Sequence, residues 1–479
     1  MTCYKKSLTL LIIQKLNHVY ISRKIMKFRI AGLVVLAVFL CTYSLSHADN
    51  DHEKHVVIIS IDGFPSWYLW DENLPLPNIR ELARNGTYAE ANIPSNPSNT
   101  WSNHTTMVTG VFPKIHGVLH NGKLIRGNPG EPVFVDRDQS KYDLVHAQTI
   151  YDAAFQAGLK TAEINWPCTR EAGTLHVRFP DTPYSVRFMS PDLRQAMMEK
   201  GLISQEDMQN PGLGRTGPGR AHLRTTAATH TIITHKPNIL LIHITMLDTV
   251  HHNYGVDTDA GYIAASLADR YVGDILESLE TAGIRERSTI FVVSDHGFNN
   301  VEYNIKANVL LRDHGLLQTD DDGMITNARI QVVSTGGTAM VFATNPETES
   351  KDIAKAKSIF ENAEGIKRII TPDEYAELGY PHPGENEQMG NLVLVAGDQY
   401  AFNNSASGEH YIIDRKRGVH GFLNDNPLMN TIFIASGNGI KKGHRTGIVD
   451  NRYVAPIAAK ILNINFDSSD AVEFSEILK

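Results

Sequence analysis

Cysteine is scarce in this chain of 479 residues, with three in all, at Cys3, Cys41 and Cys168. A small fold held by disulfides is excluded, and a core of this size does not need a covalent staple. Long apolar runs are also missing. The run from Ile30 to Cys41 falls short of the roughly 20 residues that a membrane span needs. No repeat and no low-complexity tract interrupts the sequence. Acidic residues are absent from the first 48 positions, which carry seven Lys or Arg. Without that segment the balance is 38 basic against 53 acidic side chains, a net charge of −15. Such a charge opposes loose binding to nucleic acid or to an anionic membrane.

What stands at the amino terminus reads as an address. From Met26 the chain runs MKFR, then Ile30 to Cys41, then Ser46-His47-Ala48. This is a basic region, an apolar region and small residues at a cleavage site. Residues 1–48 are expected to be a signal peptide cut before Asp49, or else an N-terminal membrane anchor. Met26 alone begins a well-formed signal, so residues 1–25 read as an upstream mis-start. Cys168 is then the one cysteine of the mature chain, and the protein is expected in the periplasm or outside the cell.

The remainder has a globular composition, 42% apolar and 20% charged, as an α/β domain requires. Short β-branched runs predict buried parallel strands at Val56–Ile61, Lys160–Ile164, Ile239–Ile244, Thr289–Ser294 and Thr431–Ala435. Helical spacing predicts helices at Asn78–Asn85, before Gly86, and at Gly261–Thr281, before Gly283. The alternation implies a doubly wound, mostly parallel sheet with helices on both faces. In such sheets functional groups gather beyond the carboxyl ends of the strands. Asp62 ends the first strand, Asp248 follows the third, and Asp295 and His296 end the fourth. From residue 300 to 417 the texture changes to short strands and the polar helix near Ser350–Asn362. It reads as an inserted smaller α+β cap in a catalytic domain of residues 49–299 and 418–479.

Several polar residues at these positions suit a metal site. Asp248 and His252 share a helix face at i, i+4, and a carboxylate with an imidazole is suitable material for zinc, although a cap or surface pair would look the same. Asp295-His296-Gly297 supplies adjacent oxygen and nitrogen ligands, the alternative being an aspartate that caps a following helix. His420 adds an imidazole beside Gly421, which permits close backbone approach, and Asp62-Gly63 adds a carboxylate. A nucleophile is then needed. NPSNTWSNHTTMVTG offers the hydroxyls of Thr100 and Ser102; Thr100 stands at a helix start, where N–H groups favour an anionic phosphate. The bland reading makes Thr100 an N-cap.

The ordered series ISIDG, TWSNH, HGVLHNG, DTVHHNYG, SDHG and GVHG resembles the nucleotide pyrophosphatase/phosphodiesterase family of the alkaline phosphatase superfamily. The likeness covers nearly all of the chain after residue 54 and implies an alkaline phosphatase-like fold. INWPC at Ile164–Cys168 resembles a family WPG segment, with Cys168 in place of the glycine. The resemblance implies two Zn2+ ions, one on Asp248, His252 and His420, the other on Asp62, Asp295, His296 and the Thr100 oxygen. It makes Thr100 the nucleophile that is transiently phosphorylated, and Asn121 a donor to a non-bridging phosphate oxygen. His104 and His116 are supporting hydrogen-bonders, and His251 lies off the ligand positions. The family's usual Phe after the nucleophile is Trp101 here, a flat indole that could stack on a base; Ser102 replaces a proline, and His243 replaces a Tyr. The implied activity is hydrolysis of phosphoric diesters, with a small phosphate ester or nucleotide as partner and no specific nucleic acid. No Lys or Arg is visible near the phosphate in these motifs, which favours a diester over a monoester. The alternatives are a phosphomonoesterase or phosphonate hydrolase of the same superfamily, and a non-catalytic exported binding protein. A formylglycine sulfatase is disfavoured, because Thr100 lacks the C/S-x-P-x-R setting.

Overall fold

The computed structural model describes residues 53–213, 217–468 and 474–479. The N-terminal segment read as a signal or anchor lies outside the described residues. Among the described residues no helix is long and apolar enough to cross a membrane.

Seven strands build the central sheet: β1 (His55–Ile61), β2 (Thr87–Ala89), β3 (Thr161–Ile164), β4 (Ile239–Ile244), β5 (Ser288–Val293), β6 (Phe433–Gly437) and β7 (His444–Thr446). Their order across the sheet is β7-β2-β6-β5-β1-β4-β3. β1 lies in the middle, parallel to β4 on one side and β5 on the other, with Ile58 opposite Leu241 and Phe291. Parallel strands in this position are covered on both faces, and all seven residues of β1 are buried. Successive side chains alternate between faces. Val57, Ile59 and Ile61 join the cluster beneath the helices α2 (Gly217–His235) and α4 (Asp259–Thr281). Val56 and Ile58 join the opposite cluster, with Ile150 and the helix Val454–Leu462. Each fully buried aliphatic side chain contributes about 1.5–3 kcal/mol relative to exposure, so the two clusters fix both register and face.

The fifth expected strand departs from expectation. β6 runs antiparallel to both β5 and β2. A run of apolar residues reports burial on both faces and carries no information on direction. The remaining strand and helix boundaries lie within a few residues of the sequence reading.

Residues between 300 and 417 hold an antiparallel four-stranded sheet in the order Ile330–Ser334, Thr338–Ala343, Leu392–Ala396, Ile366–Ile370. The helix Glu349–Phe360 accompanies it, and an apolar cluster including Val332, Val341, Phe360 and Leu394 lies within this stretch. A second sheet pairs Asn299–Ile305 with Tyr411–Val419 antiparallel. That strand brings the chain back to His420.

Candidate active site

Three adjacent strands, β5, β1 and β4, end at one edge, and the chain places Asp295, Asp62 and Asp248 just beyond them. Asp248 lies in the first turn of α3 (Met246–Tyr254), which also carries His252 one turn on. The Asp248 carboxylate Oδ1 is 3.3 Å from His252 Nε2 and 3.9 Å from His420 Nε2. His296 Nε2 is 3.4 Å from Asp62 Oδ1 and 3.2 Å from Asp295 Oδ2. Thr100 Oγ1 stands 3.4 Å from the same nitrogen. All seven residues expected around the metals and the nucleophile therefore converge.

The histidine orientations carry chemical information. His252 Nδ1 is 3.1 Å from Gly418 O, His420 Nδ1 is 3.0 Å from Ser98 O, and His296 Nδ1 is 3.2 Å from Gly297 O. Each Nδ1–H donates to a carbonyl, so in the neutral ring each Nε2 lone pair points at carboxylate oxygen. Lone pairs facing lone pairs at these distances call for a cation between them, and a carbonyl on the far nitrogen is the usual support of a metal-bound imidazole. Asp62 Oδ1, Asp248 Oδ1 and Asp295 Oδ2 are buried without a hydrogen-bond partner. Three sets of side chains have their donor atoms close enough to share an ion: Asp248 with His252 and His420, Asp62 with Asp248 and His296, and Asp295 with His104 and His243. The residues present fit the donor preferences of zinc.

Electrostatics agree with that geometry. Burial, then Asp248 and Asp295, raise the Asp62 carboxyl well above its usual range. Burial likewise raises Asp295. Burial pushes His296 down to about 3 and lowers His420 far below its ordinary value, which keeps both rings neutral. Asp248 is lowered despite its burial, because His252, His420 and His296 face it. The neutral rings of His296 and His420 are ready metal ligands, while Asp248 raises His252 against its burial; carboxyls that burial and mutual repulsion keep from ionising together would be relieved by a divalent cation.

The nucleophile segment owes its precision to an unusual helix. All ten residues of α1 (Thr100–Thr109) are buried, although most are polar. Thr105, Thr106 and Thr109 each bond back to the carbonyl four residues earlier, and Asn103 donates to the carbonyls of Ser95, Pro97 and Asn99. Asn99, with its side chain accepting from Ser102 N–H, takes the cap position. Thr100 is thus the first helical residue and not the N-cap. Ser102 Oγ donates to Val118 O in the interior, which leaves Thr100 as the hydroxyl at the cluster. Asn121 shares the cavity and accepts from Trp101 N–H through Oδ1, so its NH2 end is the group left for a ligand. No helix follows Asp295, which removes the capping alternative there. Gly421 has φ +81°, and a Cβ there would lie 1.7 Å from Thr335 O.

The supporting histidines take interior bonds. His104 Nδ1 meets Thr100 O at 2.8 Å, and His116 Nε2 meets Thr106 Oγ1 at 3.0 Å. His251 is fully buried, with Nε2 3.1 Å from Tyr68 Oη. His243, marked in the sequence only as a departure, has the same arrangement as the cluster histidines. Its Nδ1 lies 3.1 Å from Asn165 O and its Nε2 3.0 Å from Asp62 Oδ2. Cys168 is buried and free, at φ +57°, a conformation that glycine adopts without strain.

Trp101 is 1% exposed, packed with Val118, Leu144 and Cys168. Its indole N–H donates to Asp181 Oδ2 at 3.3 Å, and the Arg137 guanidinium lies 5.2 Å from its ring centre. The cavity it borders, about 580 Å³, is lined by Thr100, Asn121, Asp62, Asp248, His252 and His420, and also by Arg137, Arg220, Arg224 and Asp181. The motif reading, which showed no Arg near the phosphate, is corrected here: among the described residues three arginines line the cavity. Arg220 and Arg224 stand at i, i+4 on α2, a spacing visible in the sequence but linked there to nothing.

Residues 56–423 match the model of the family described as type I phosphodiesterase / nucleotide pyrophosphatase. A pyrophosphatase/phosphodiesterase of Schizosaccharomyces pombe, itself named as uncharacterized, is 23% identical over 441 residues, 88% of this chain and 79% of that protein. Ectonucleotide pyrophosphatase/phosphodiesterase family member 3 of Bos taurus is 24% identical over 85% of this chain, and venom phosphodiesterase 2 of Crotalus adamanteus 23% over 86%. The match spans 42% and 46% of those two proteins, less than half their length. Murine ectonucleotide pyrophosphatase/phosphodiesterase 5 has a similar fold, with a TM-score of 0.65 at 18% identity, covering 89% of this chain and 100% of that one. An inactive variant of it, solved in complex with AMP, matches to the same extent. With three quarters of its length matched by the family model, the chain belongs to the type I phosphodiesterase / nucleotide pyrophosphatase family, within the alkaline phosphatase superfamily.

Proposed function

We propose that the protein is a two-zinc hydrolase of phosphoric diesters and nucleotide pyrophosphate bonds that works through a phospho-threonine at Thr100. The observation that carries this reading is the set of three Nε2 lone pairs and three carboxylates, two of them buried, gathered beside one hydroxyl. Asp248, His252 and His420 would hold one zinc; Asp62, Asp295, His296 and the Thr100 oxygen would hold the other. Such ions, when bound, supply Lewis-acid activation of a hydroxyl or water and offset charge on phosphoryl oxygens. Thr100 Oγ attacks phosphorus, the bond from phosphorus to the leaving oxygen breaks, and that oxygen departs with the electron pair and takes up a proton. Water then attacks phospho-Thr100, the Oγ–P bond breaks, and a phosphate monoester leaves. Asn121 donates to a non-bridging oxygen from its NH2 group, held by the bond between its Oδ1 and Trp101 N–H. The capped, fully bonded helix α1 keeps Thr100 in place through both steps.

Residues 300–417 would be an insertion in the catalytic unit of 49–299 and 418–479, and its last strand delivers His420. Export rests on the N-terminal sequence alone. A phosphomonoesterase is the second reading, and the arginines of the cavity favour it, since a monoester carries more negative charge. Zinc-loaded protein assayed on bis-p-nitrophenyl phosphate and p-nitrophenyl phosphate separates the two. The diester is expected to have the higher kcat/KM, and acid quench during its turnover should trap a p-nitrophenyl phosphoryl group on Thr100. A faster monoester, or label on another residue, overturns the diesterase reading.

A further inference from the structure

The cavity has two walls of opposite chemistry. Beyond the carboxylate and imidazole cluster stand three guanidinium groups and a single carboxylate, Asp181. That carboxylate is already engaged, by the Trp101 indole N–H and by Arg137 Nη2 at 3.5 Å. Arg224 donates from Nη1 to Thr245 Oγ1 at 2.7 Å, its Nε is buried without an acceptor, and it makes no ion pair among the described residues. Burial pulls its charged form down to about 10 against the attraction of Asp181, with Arg220 adding repulsion. A guanidinium with a buried, unused donor beside another guanidinium is costly unless an anion arrives. Thr100 and Asn121 border the same cavity, so one ligand can meet both walls.

We propose that Arg220 and Arg224, with Arg137 over Trp101, form a subsite for a second anionic oxygen group of the substrate. The preferred substrate is then a diester or anhydride whose pocket-side group itself carries a carboxylate or a phosphoryl group. Guanidinium groups suit either through paired N–H donors. The proposal rests on the diesterase reading, and it differs from a pocket that only stacks a flat neutral base. Trp101 cannot offer both ring faces to such a base, since Arg137 lies over the indole.

The test uses zinc-loaded Thr100→Ala protein and three probes: p-nitrophenyl phenyl phosphate, its 4-carboxyphenyl counterpart and its 4-phosphonophenyl counterpart. Calorimetric titration should show one or both charged esters bound at least about tenfold tighter than the phenyl ester. The better of the two identifies the group recognised. In Arg224→Gln and in Arg220→Gln, each built separately in case one fails to fold, that ratio should fall to about threefold or less. A ratio near one in Thr100→Ala, or an unchanged ratio in both arginine variants, overturns the subsite. Turnover is measured separately in the wild type. If the charged esters bind selectively and none is hydrolysed, the diesterase reading falls and the subsite stands.

Discussion

One wall of the cavity is built from strand ends and the other from a helix side and loops, and the two differ in how they are held. Asp62, Asp248 and Asp295 each follow a central parallel strand by a few residues, so sheet pairing sets their mutual positions. Arg137, Asp181, Arg220 and Arg224 come from two loops and α2; Arg137 and Asp181 are held by each other and by Trp101, and Arg224 by Thr245. The first wall concentrates negative charge and neutral imidazoles; the second concentrates positive charge. On the proposed reading, chemistry at the phosphoryl group belongs to the first, and choice of substrate to the second.

The sharpest way to separate the walls is to remove the hydroxyl between them. Thr100→Ala should lower kcat on order of 10³-fold or more, because the covalent step is lost. Its zinc content should stay unchanged, with six side-chain ligands remaining, and Thr100→Ser should keep part of the activity. Atomic absorption and steady-state kinetics on the same preparations check both; loss of metal in Thr100→Ala would make the threonine a structural ligand above all.

Next in size are changes within the acidic wall. His420→Ala should reduce bound zinc by about one equivalent, with circular dichroism unchanged, since its Nε2 serves the cluster and not the core. His243→Ala acts one contact further out, through Asp62. Its expected effect is a roughly 10–100-fold weaker zinc affinity, as for other groups that orient a ligand. Competition with a chromogenic chelator measures both, and equal affinity in His243→Ala and wild type would remove His243 from the site.

The mildest expected effect on chemistry, and the one that tests the second wall, is Trp101→Ala. Emptying a site that is 1% exposed should cost about 3–5 kcal/mol of stability, read from urea unfolding. Zinc stoichiometry should be preserved, while the charged-ester preference shrinks as Arg137 and Asp181 lose their shared partner. A variant with wild-type stability and a selective loss on aromatic esters would restore the indole to a stacking role.

Legibility in the sequence follows the same division. Asp295-His296 and Asp62 could be read because a parallel strand ends in a known place, and one residue of chain fixes the side chain's position there. Asp248 and His252 could be read because a helix turn relates them. Thr100 was legible as a residue type at a helix start, but Asn99 as the true cap was not, since either side chain could accept from the first turn. The antiparallel course of β6 was invisible, because apolar content has no direction. His243 was noticed only as a substitution; its bond to Asp62, 181 positions away, required the fold.

By itself, then, the sequence determined the strands, the order of the motifs and which Asp and His residues gather at the strand ends, since these depend on short spacings along one chain. Only the tertiary structure decided that Arg137 and Asp181 meet at Trp101, and that Arg220 and Arg224 border the same cavity as Thr100. Those groups stand more than a hundred positions apart at the extremes, and no periodicity links a loop to a helix face. Packing of α2 against the sheet brings Arg220 and Arg224 to the cavity, and it is this shared lining that turns three ordinary arginines into a candidate site.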